Sequence, residues 1–184
     1  MDGRDKRIMK NIKVSFITQA AAIAAIYTVL TLVFAPISYG EVQVRIAEAL
    51  TILPAFTPAA IPGLFIGCLI SNTLGGSILL DVFFGSIATL LGAAGTWMLR
   101  KNRWLAPLPP IVSNTVIVPL VLKFGYGVPL PLPLLMVFIA IGEIISCYLL
   151  GELLLTVLAP YAGILFNTED SAAAKKNDGH LFQK

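Results

Sequence analysis

Charged residues are scarce in this sequence. Asp, Glu, Lys and Arg make up 12% of its 184 residues, which is about half of the roughly 25% typical of soluble domains. Apolar residues make up 57%, and the mean hydropathy is +0.86. The first apolar run, from Val14 to Phe34, carries no charge and is long enough to cross a hydrocarbon core of about 30 Å. The composition therefore predicts a membrane protein.

Residue types that serve catalysis and metal binding are also scarce. The one histidine, His180, lies in the polar C-terminal stretch, and the two cysteines, Cys68 and Cys147, lie inside apolar segments. No phosphate-binding Gly-x-x-x-x-Gly-Lys-Ser/Thr motif, His-Glu-x-x-His motif or Cys/His cluster occurs. We therefore predict a protein that is not an enzyme and holds no cofactor or metal. We interpret both cysteines as small buried apolar residues.

Proline, glycine and charge divide the chain into six predicted helices, at 14–34, 44–55, 58–74, 82–99, 109–124 and 132–158. The second is short and carries charge, but the distribution of basic residues supports counting it. Basic clusters precede the first helix and follow the fourth, and short basic loops stay in the cytoplasm. Six crossings put both clusters on that side.

The predicted fold is therefore an all-α bundle of six transmembrane helices with cytoplasmic N- and C-termini. A basic cytoplasmic N-terminus at 1–13 precedes the membrane domain at 14–160. The polar residues at 161–184 are predicted to form a disordered cytoplasmic tail.

Ionisable and amide side chains inside a bilayer usually face the bundle interior or a water-filled cavity, which makes them functional candidates. The candidates for a ligand site are Tyr39, Arg45, Glu48, Asn72, Asp81, Asn114 and Glu143. Glu143 lies near the predicted membrane midplane, where an unpaired carboxylate is costly, and this favours contact with a ligand.

Structural roles remain open for several of these candidates. Glu41, Arg45 and Glu48 share one face of a helix, so they form either a structural ion pair or part of a ligand site. Asp81 is either a helix N-cap or a ligand contact. Asn114 is either an interhelical hydrogen-bonding residue or a ligand contact.

Small residues recur on the first predicted helix. Ala20 with Ala24, and Ala21 with Ala25, form small-xxx-small pairs that let another helix approach closely. Packing within the chain and docking of another protein are both consistent with these pairs.

Four stretches together resemble the QueT family of substrate-binding S components of energy-coupling factor (ECF) transporters. They are LTLVFAPISYGEVQVRIAEALTILPAFTPAAIPGLFIGCLISNTLGG at 30–76, LDVFFGSIATLLGA at 80–93, LAPLPPIVSNTVIV at 105–118 and IGEIISCYLLG at 141–151. The resemblance implies a six-helix cell-membrane subunit that captures queuosine precursors from outside. It also implies an EcfT-type coupling subunit and two cytosolic ATPases as partners. The alanine pairs match the Ala-x-x-x-Ala motif through which such subunits meet EcfT.

The implied ligand is a 7-deazaguanine: the 7-cyano form, the 7-aminomethyl form or queuine. We hypothesise that Glu143 or Glu48 accepts the donors of the base and that Asn72 or Asn114 donates to its carbonyl. Tyr39 would then stack on the ring, and Asp81 would hold the amine. Membrane lipid, and no nucleic acid, is the other expected partner. The alternatives are an S component for another flat heterocycle, or a stand-alone proton-coupled carrier or channel that uses Glu143 and Asp81.

Overall fold

A computed structural model of the chain describes residues 3–38 and 44–166, with side chains for residues 14–36, 38 and 44–166. Within these ranges the chain is helical and has no strand. The α-helices are α1 (Gly3–Val33), α2 (Ala35–Ser38), α3 (Ala60–Leu74), α4 (Leu79–Leu99), α5 (Leu108–Phe124), α6 (Leu132–Glu143), α7 (Gly151–Leu158) and α8 (Ala162–Leu165). A 3₁₀ helix at Ile46–Ala55 precedes α3, a π-helical segment at Ile144–Leu150 joins α6 to α7, and a 3₁₀ turn at Ala159–Tyr161 leads into α8.

The predicted all-α architecture is confirmed, and each of the six predicted helices has a counterpart in the described residues. Three helical stretches are long and apolar enough to cross a membrane, namely Val14–Val33, Leu79–Leu99 and Leu132–Leu165. The other three have 10–17 residues. The number of crossings, the side on which the termini lie and the division into three regions stay predictions.

The helical part of the chain continues past residue 160. α8 follows the 3₁₀ turn, and the ring of Phe166 stacks on Phe56 with centroids 5.6 Å apart. Phe166 is therefore packed against the helical bundle, whereas Tyr161, Ile164 and Leu165 are exposed. The rest of the predicted tail lies outside the described residues.

The 3₁₀ helix is the central element of the bundle. It packs against α1, α3, α4, the π-helical segment and α7, and every residue from Ala47 to Pro54 is buried. At about 2.0 Å per residue, ten residues extend about 20 Å, and 3₁₀ helices of this length are uncommon. Because neighbouring helices surround it, this element carries Glu48 into the interior.

Small residues bring α1 and α3 into close contact. Thr28 on α1 donates a 3.2 Å hydrogen bond to the carbonyl oxygen of Gly67 on α3. A Cβ atom added at Gly63 would lie 2.7 Å from the carbonyl oxygen of Ala20, and one added at Gly67 would lie 2.9 Å from that of Ala24. Glycine on α3 therefore allows the backbone of the two helices to approach.

Replacing Gly67 by Ala is expected to destabilise the fold. The new Cβ would also lie 2.9 Å from the Cβ of Tyr27, and overpacking of this kind costs about 1–3 kcal/mol. We expect the thermal unfolding midpoint in detergent to fall by about 3–10 °C. Gly163→Ala is the matched control, because a Cβ there meets nothing within 4 Å. Equal midpoints for the two variants would contradict the close packing of α1 on α3.

The basic loop between α4 and α5 is fastened to α7. The Nε atom of Arg103 pairs with Oε2 of Glu152 at 2.6 Å, and its Nη2 donates to Oγ1 of Thr156 at 2.6 Å. On the same loop, the guanidinium of Arg100 lies 3.6 Å above the ring of Trp97. Glu152 thus has a partner within the chain, and it lies about 13 Å along the helix from Glu143.

Candidate functional site

Buried polar side chains from seven of the helical elements gather inside the bundle. This polar cluster comprises Tyr27, Arg45, Glu48, Cys68, Asn72, Asp81, Thr89, Asn114, Glu143 and Cys147. Each of these residues has a relative exposure of 7% or less. They come from α1, α3, α4, α5, α6 and the π-helical segment, and from the 3₁₀ helix with the residue before it. An assembly of this kind inside an apolar bundle is the expected form of a site for a polar ligand.

The inner end of the polar cluster contains two carboxyl groups. A carboxylate oxygen of Glu48, one of Glu143 and the Sγ atom of Cys147 all lie within 4.8 Å of one another. The Cys147 thiol donates to Oε2 of Glu143 at 3.1 Å. Since like charges repel at this separation, a cation, a proton or a set of hydrogen-bond donors between the carboxyl groups lowers their free energy. These three residues could also each supply a metal ligand, and the predicted absence of a metal stays a prediction.

Neutral groups from two other helices hold these carboxyl groups. The hydroxyl of Tyr27 on α1 donates a hydrogen bond to Oε1 of Glu48. The side chain of Asn114 on α5 lies beside both Glu48 and Glu143. Thr51, one turn after Glu48 on the 3₁₀ helix, donates to the Glu48 carbonyl oxygen at 2.6 Å. The inner end is therefore fixed from α1, α5 and the 3₁₀ helix at once.

Cys68 lies at the middle of the polar cluster. Its Sγ atom is 3.8 Å from Nη1 of Arg45, 3.6 Å from Nδ2 of Asn72 and 3.4 Å from Oγ1 of Thr89. Three donors from different parts of the chain thus converge on one sulfur atom. Both cysteines are buried, as predicted, and both are free thiols, but each also takes part in the polar contacts.

Asp81, in the first turn of α4, forms the other end of the polar cluster, which we call its outer end. The hydroxyl of Tyr126, in the turn after α5, donates to Oδ2 of Asp81 at 3.1 Å and accepts from the amide of Ile78 at 3.2 Å. Partial desolvation raises the pKa of Tyr126 above its usual value, so the hydroxyl keeps its proton. Nδ2 of Asn72 donates to the carbonyl oxygen of Asp81 at 3.4 Å, which connects this end to Cys68.

Two oxygen atoms of the polar cluster are buried without a hydrogen-bond partner among the described residues. They are Oε2 of Glu48 and Oδ1 of Asn72. Their residues are 1% and 0% exposed, and a buried acceptor left unpaired costs about 1–3 kcal/mol. Such atoms indicate positions where a bound molecule could donate hydrogen bonds.

The structure brings six of the seven predicted ligand residues together: Arg45, Glu48, Asn72, Asp81, Asn114 and Glu143. Tyr39, and with it Glu41, lies outside the described residues. Sequence reasoning missed Tyr27, Cys68, Thr89 and Cys147. Two signals were available, since a tyrosine inside an uncharged segment needs a partner for its hydroxyl, and Cys147 follows Glu143 by four residues on the same helix face.

The alanine pairs of α1 lie on different surfaces. Ala24 is buried, and the backbone of Ala20 and Ala24 lies against the glycines of α3. Ala21 and Ala25 are exposed. The first pair therefore packs within the chain, and the second remains open to another protein or to lipid.

A separate groove of about 330 Å³ lies between α1, the 3₁₀ helix, the π-helical segment and α7. Its lining consists of Leu, Ile, Ala and Val side chains. The side chains of this groove cannot hydrogen-bond to a polar ligand, whereas those of the polar cluster can.

In the residues that the structure describes, the helical architecture, the three apolar helices of membrane-spanning length and the buried polar cluster are those of a helical membrane protein. The chain belongs to the QueT family, because the family model described as QueT transporter matches residues 17–160. The resemblance stated from the sequence is thereby confirmed, and the chain is a member of a transporter family.

One curated relative supports this placement. The chain is 38% identical over 85 residues to the "Queuosine precursor transporter QueT" of Lactococcus lactis subsp. cremoris (strain MG1363). This similarity covers 45% of the chain and 50% of the relative, so the chain matches about half of that protein's length. No solved structure matches the chain.

Proposed function

We propose that this protein is the substrate-binding membrane subunit of an ATP-dependent importer of the ECF type. It captures a queuosine precursor, a 7-deazaguanine base, on the outside of the cell membrane. The buried pair Glu48 and Glu143, with an open acceptor at Oε2 of Glu48, is the observation that supports this most. Membership of the QueT transporter family and the name of the Lactococcus lactis relative agree with it.

The hydrogen-bonding edge of a 7-deazaguanine suits the inner end of the polar cluster. The base offers an N1–H and a 2-amino group with two N–H donors, and a carboxylate can accept two such donors side by side. Because Glu48 and Glu143 lie so close together, one accepts the N1–H and one amino hydrogen while the other accepts the second amino hydrogen. Asn114, beside both carboxyl groups, is placed to donate to the carbonyl of the base.

The energy for import comes from other subunits in this proposal. The sequence has no phosphate-binding glycine motif, so two cytosolic ATPases hydrolyse ATP and an EcfT-type subunit transmits the movement. The exposed Ala21 and Ala25 of α1 are the surface on which that subunit docks, because small residues allow close helix contact. Ala20 and Ala24 pack against the glycines of α3 and so hold α1 in position.

Co-purification tests the proposal. The solubilised chain, expressed in cells that contain 7-deazaguanines, is expected to retain one that mass spectrometry identifies, and to recover an EcfT-type subunit and ATPases when these are co-expressed. Retention of a different flat heterocycle would move the ligand assignment to that compound. Uptake by the chain alone in liposomes, without ATP, would instead support a stand-alone carrier that uses Glu143 and Asp81.

A further inference from the structure

The basic loop between α4 and α5, residues 100–107, carries positive charge that the described part of the chain does not neutralise. Arg103 is paired with Glu152 at 2.6 Å. Its neighbours Arg100 and Lys101 are exposed, and neither has a carboxylate partner among the described residues. Two adjacent positive charges are therefore accessible to another molecule.

Contacts within the chain hold this loop in place. Nη2 of Arg103 donates to Oγ1 of Thr156 on α7 at 2.6 Å. The guanidinium of Arg100 lies 3.6 Å above the ring of Trp97 and donates to the Trp97 carbonyl oxygen at 2.8 Å through Nη1. Since arginine has five N–H donors in a planar fork, Arg100 keeps donors for a further partner while its position is already fixed.

Large apolar side chains surround the two accessible charges. Met98 is 77% exposed and Trp104 is 62% exposed, and Leu99, Leu105 and Leu108 are exposed as well. In a helical membrane protein, exposed apolar side chains meet lipid, and tryptophan rings lie at the level of the headgroups. The charges therefore adjoin the lipid-facing surface of α4 and α5, which favours a phospholipid over the acidic surface of a soluble protein.

We propose that the basic loop binds the headgroup of an anionic phospholipid. Arg100 and Lys101 hold the phosphate, because guanidinium and ammonium groups form charge-assisted hydrogen bonds with phosphate oxygens. The indole of Trp104 packs against the glycerol and the adjoining part of an acyl chain. Phosphatidylglycerol is preferred over phosphatidylcholine, because choline would bring a further positive charge beside the two on the loop.

The fluorescence of the protein reports on this loop directly, because the chain's two tryptophans, Trp97 and Trp104, flank it. The purified full-length protein is reconstituted in vesicles of mixed phosphatidylglycerol and phosphatidylcholine, in which one lipid at a time carries brominated acyl chains. Bromine quenches tryptophan on contact, so the two quenching curves give the ratio of the binding constants. Each Lys or Arg at an anionic surface contributes about 5-fold in affinity, so we expect phosphatidylglycerol to be favoured about 5- to 25-fold.

Removal of the two charges is expected to abolish this preference. In the double variant Arg100→Gln with Lys101→Gln, the ratio should fall below about 2-fold. The matched control, Arg100→Lys with Lys101→Arg, keeps both charges and should retain most of the preference. High salt should weaken the wild-type preference, because it screens exposed charges. Thermal unfolding midpoints close to that of the parent would show that both double variants are folded.

Two results would overturn the proposal. One is equal quenching by the two brominated lipids in the wild-type protein, and the other is a wild-type ratio that persists in Arg100→Gln with Lys101→Gln. If quenching is equal and this variant instead fails to recover an EcfT-type subunit on pull-down, the loop binds a protein and not a lipid. Precursor binding plays no part in the quenching measurement, so its outcome is independent of the function proposed above.

Discussion

Replacing Glu143 by Gln is expected to weaken binding of the queuosine precursor by about 100-fold. The carboxylate is 5% exposed and lies within 4.8 Å of the Glu48 carboxylate, where the donor edge of the base would enter. Glutamine keeps the size of the side chain but turns one acceptor into a donor, so a charge-assisted bond is lost and two donors meet. Each such loss is worth about 1.5–3 kcal/mol. Glu48→Gln should act in the same direction.

The measurement is the Kd of the precursor for each purified variant, with thermal unfolding recorded in parallel. Glu152→Gln is the matched control, because Glu152 lies further along the same continuous helix and pairs with Arg103 instead. Its Kd should stay within about 3-fold of the wild-type value. If Glu143→Gln and Glu48→Gln both bind as tightly as the parent, the carboxylates do not hold the base.

Replacing Ala25 by Trp is expected to abolish ATP-dependent uptake while leaving precursor binding to the isolated subunit unchanged. Ala25 is exposed on α1, away from the surface where Ala24 lies against Gly67 of α3. Since helices approach closely only over small residues, an indole at this position would keep the coupling subunit at a distance. Binding within the bundle does not depend on this surface.

Uptake in cells or proteoliposomes that contain the coupling subunit and ATPases, together with pull-down of those subunits, measures this effect. Val112→Trp is the control, because Val112 is 61% exposed on α5 and carries no small-residue pair. It should transport like the wild type. Full uptake by Ala25→Trp would exclude the Ala21 and Ala25 surface as the docking site.

Much of the helical fold could be predicted from the sequence because apolar runs and their breaks are local signals. The positions of α3, α4 and α5 agree with the predicted segments to within a few residues. The 3₁₀ geometry of Ile46–Ala55 and the π-helical turns at Ile144–Leu150 could not be predicted, since those residues fit an α-helix equally well. Packing of neighbouring helices around the central element decides its form.

The candidate site shows the same division between local and long-range information. The carboxylates and amides stood out because they interrupt apolar segments, and Glu143 is buried as its position indicated. Pairings between helices could not be derived, for example the hydrogen bond from Tyr27 to Glu48 across 21 residues. Cys147 could have been found from its spacing, yet a thiol inside an apolar helix is usually only a packing residue.

Determining the structure of the purified protein at a saturating concentration of 7-aminomethyl-7-deazaguanine would show directly where the base binds. We expect the base inside the polar cluster, with its N1–H and amino group within hydrogen-bond distance of Glu48 and Glu143. Its ammonium should lie beside Asp81. A base bound anywhere else, such as the apolar groove between α1 and α7, or no bound base at saturating concentration, would contradict it.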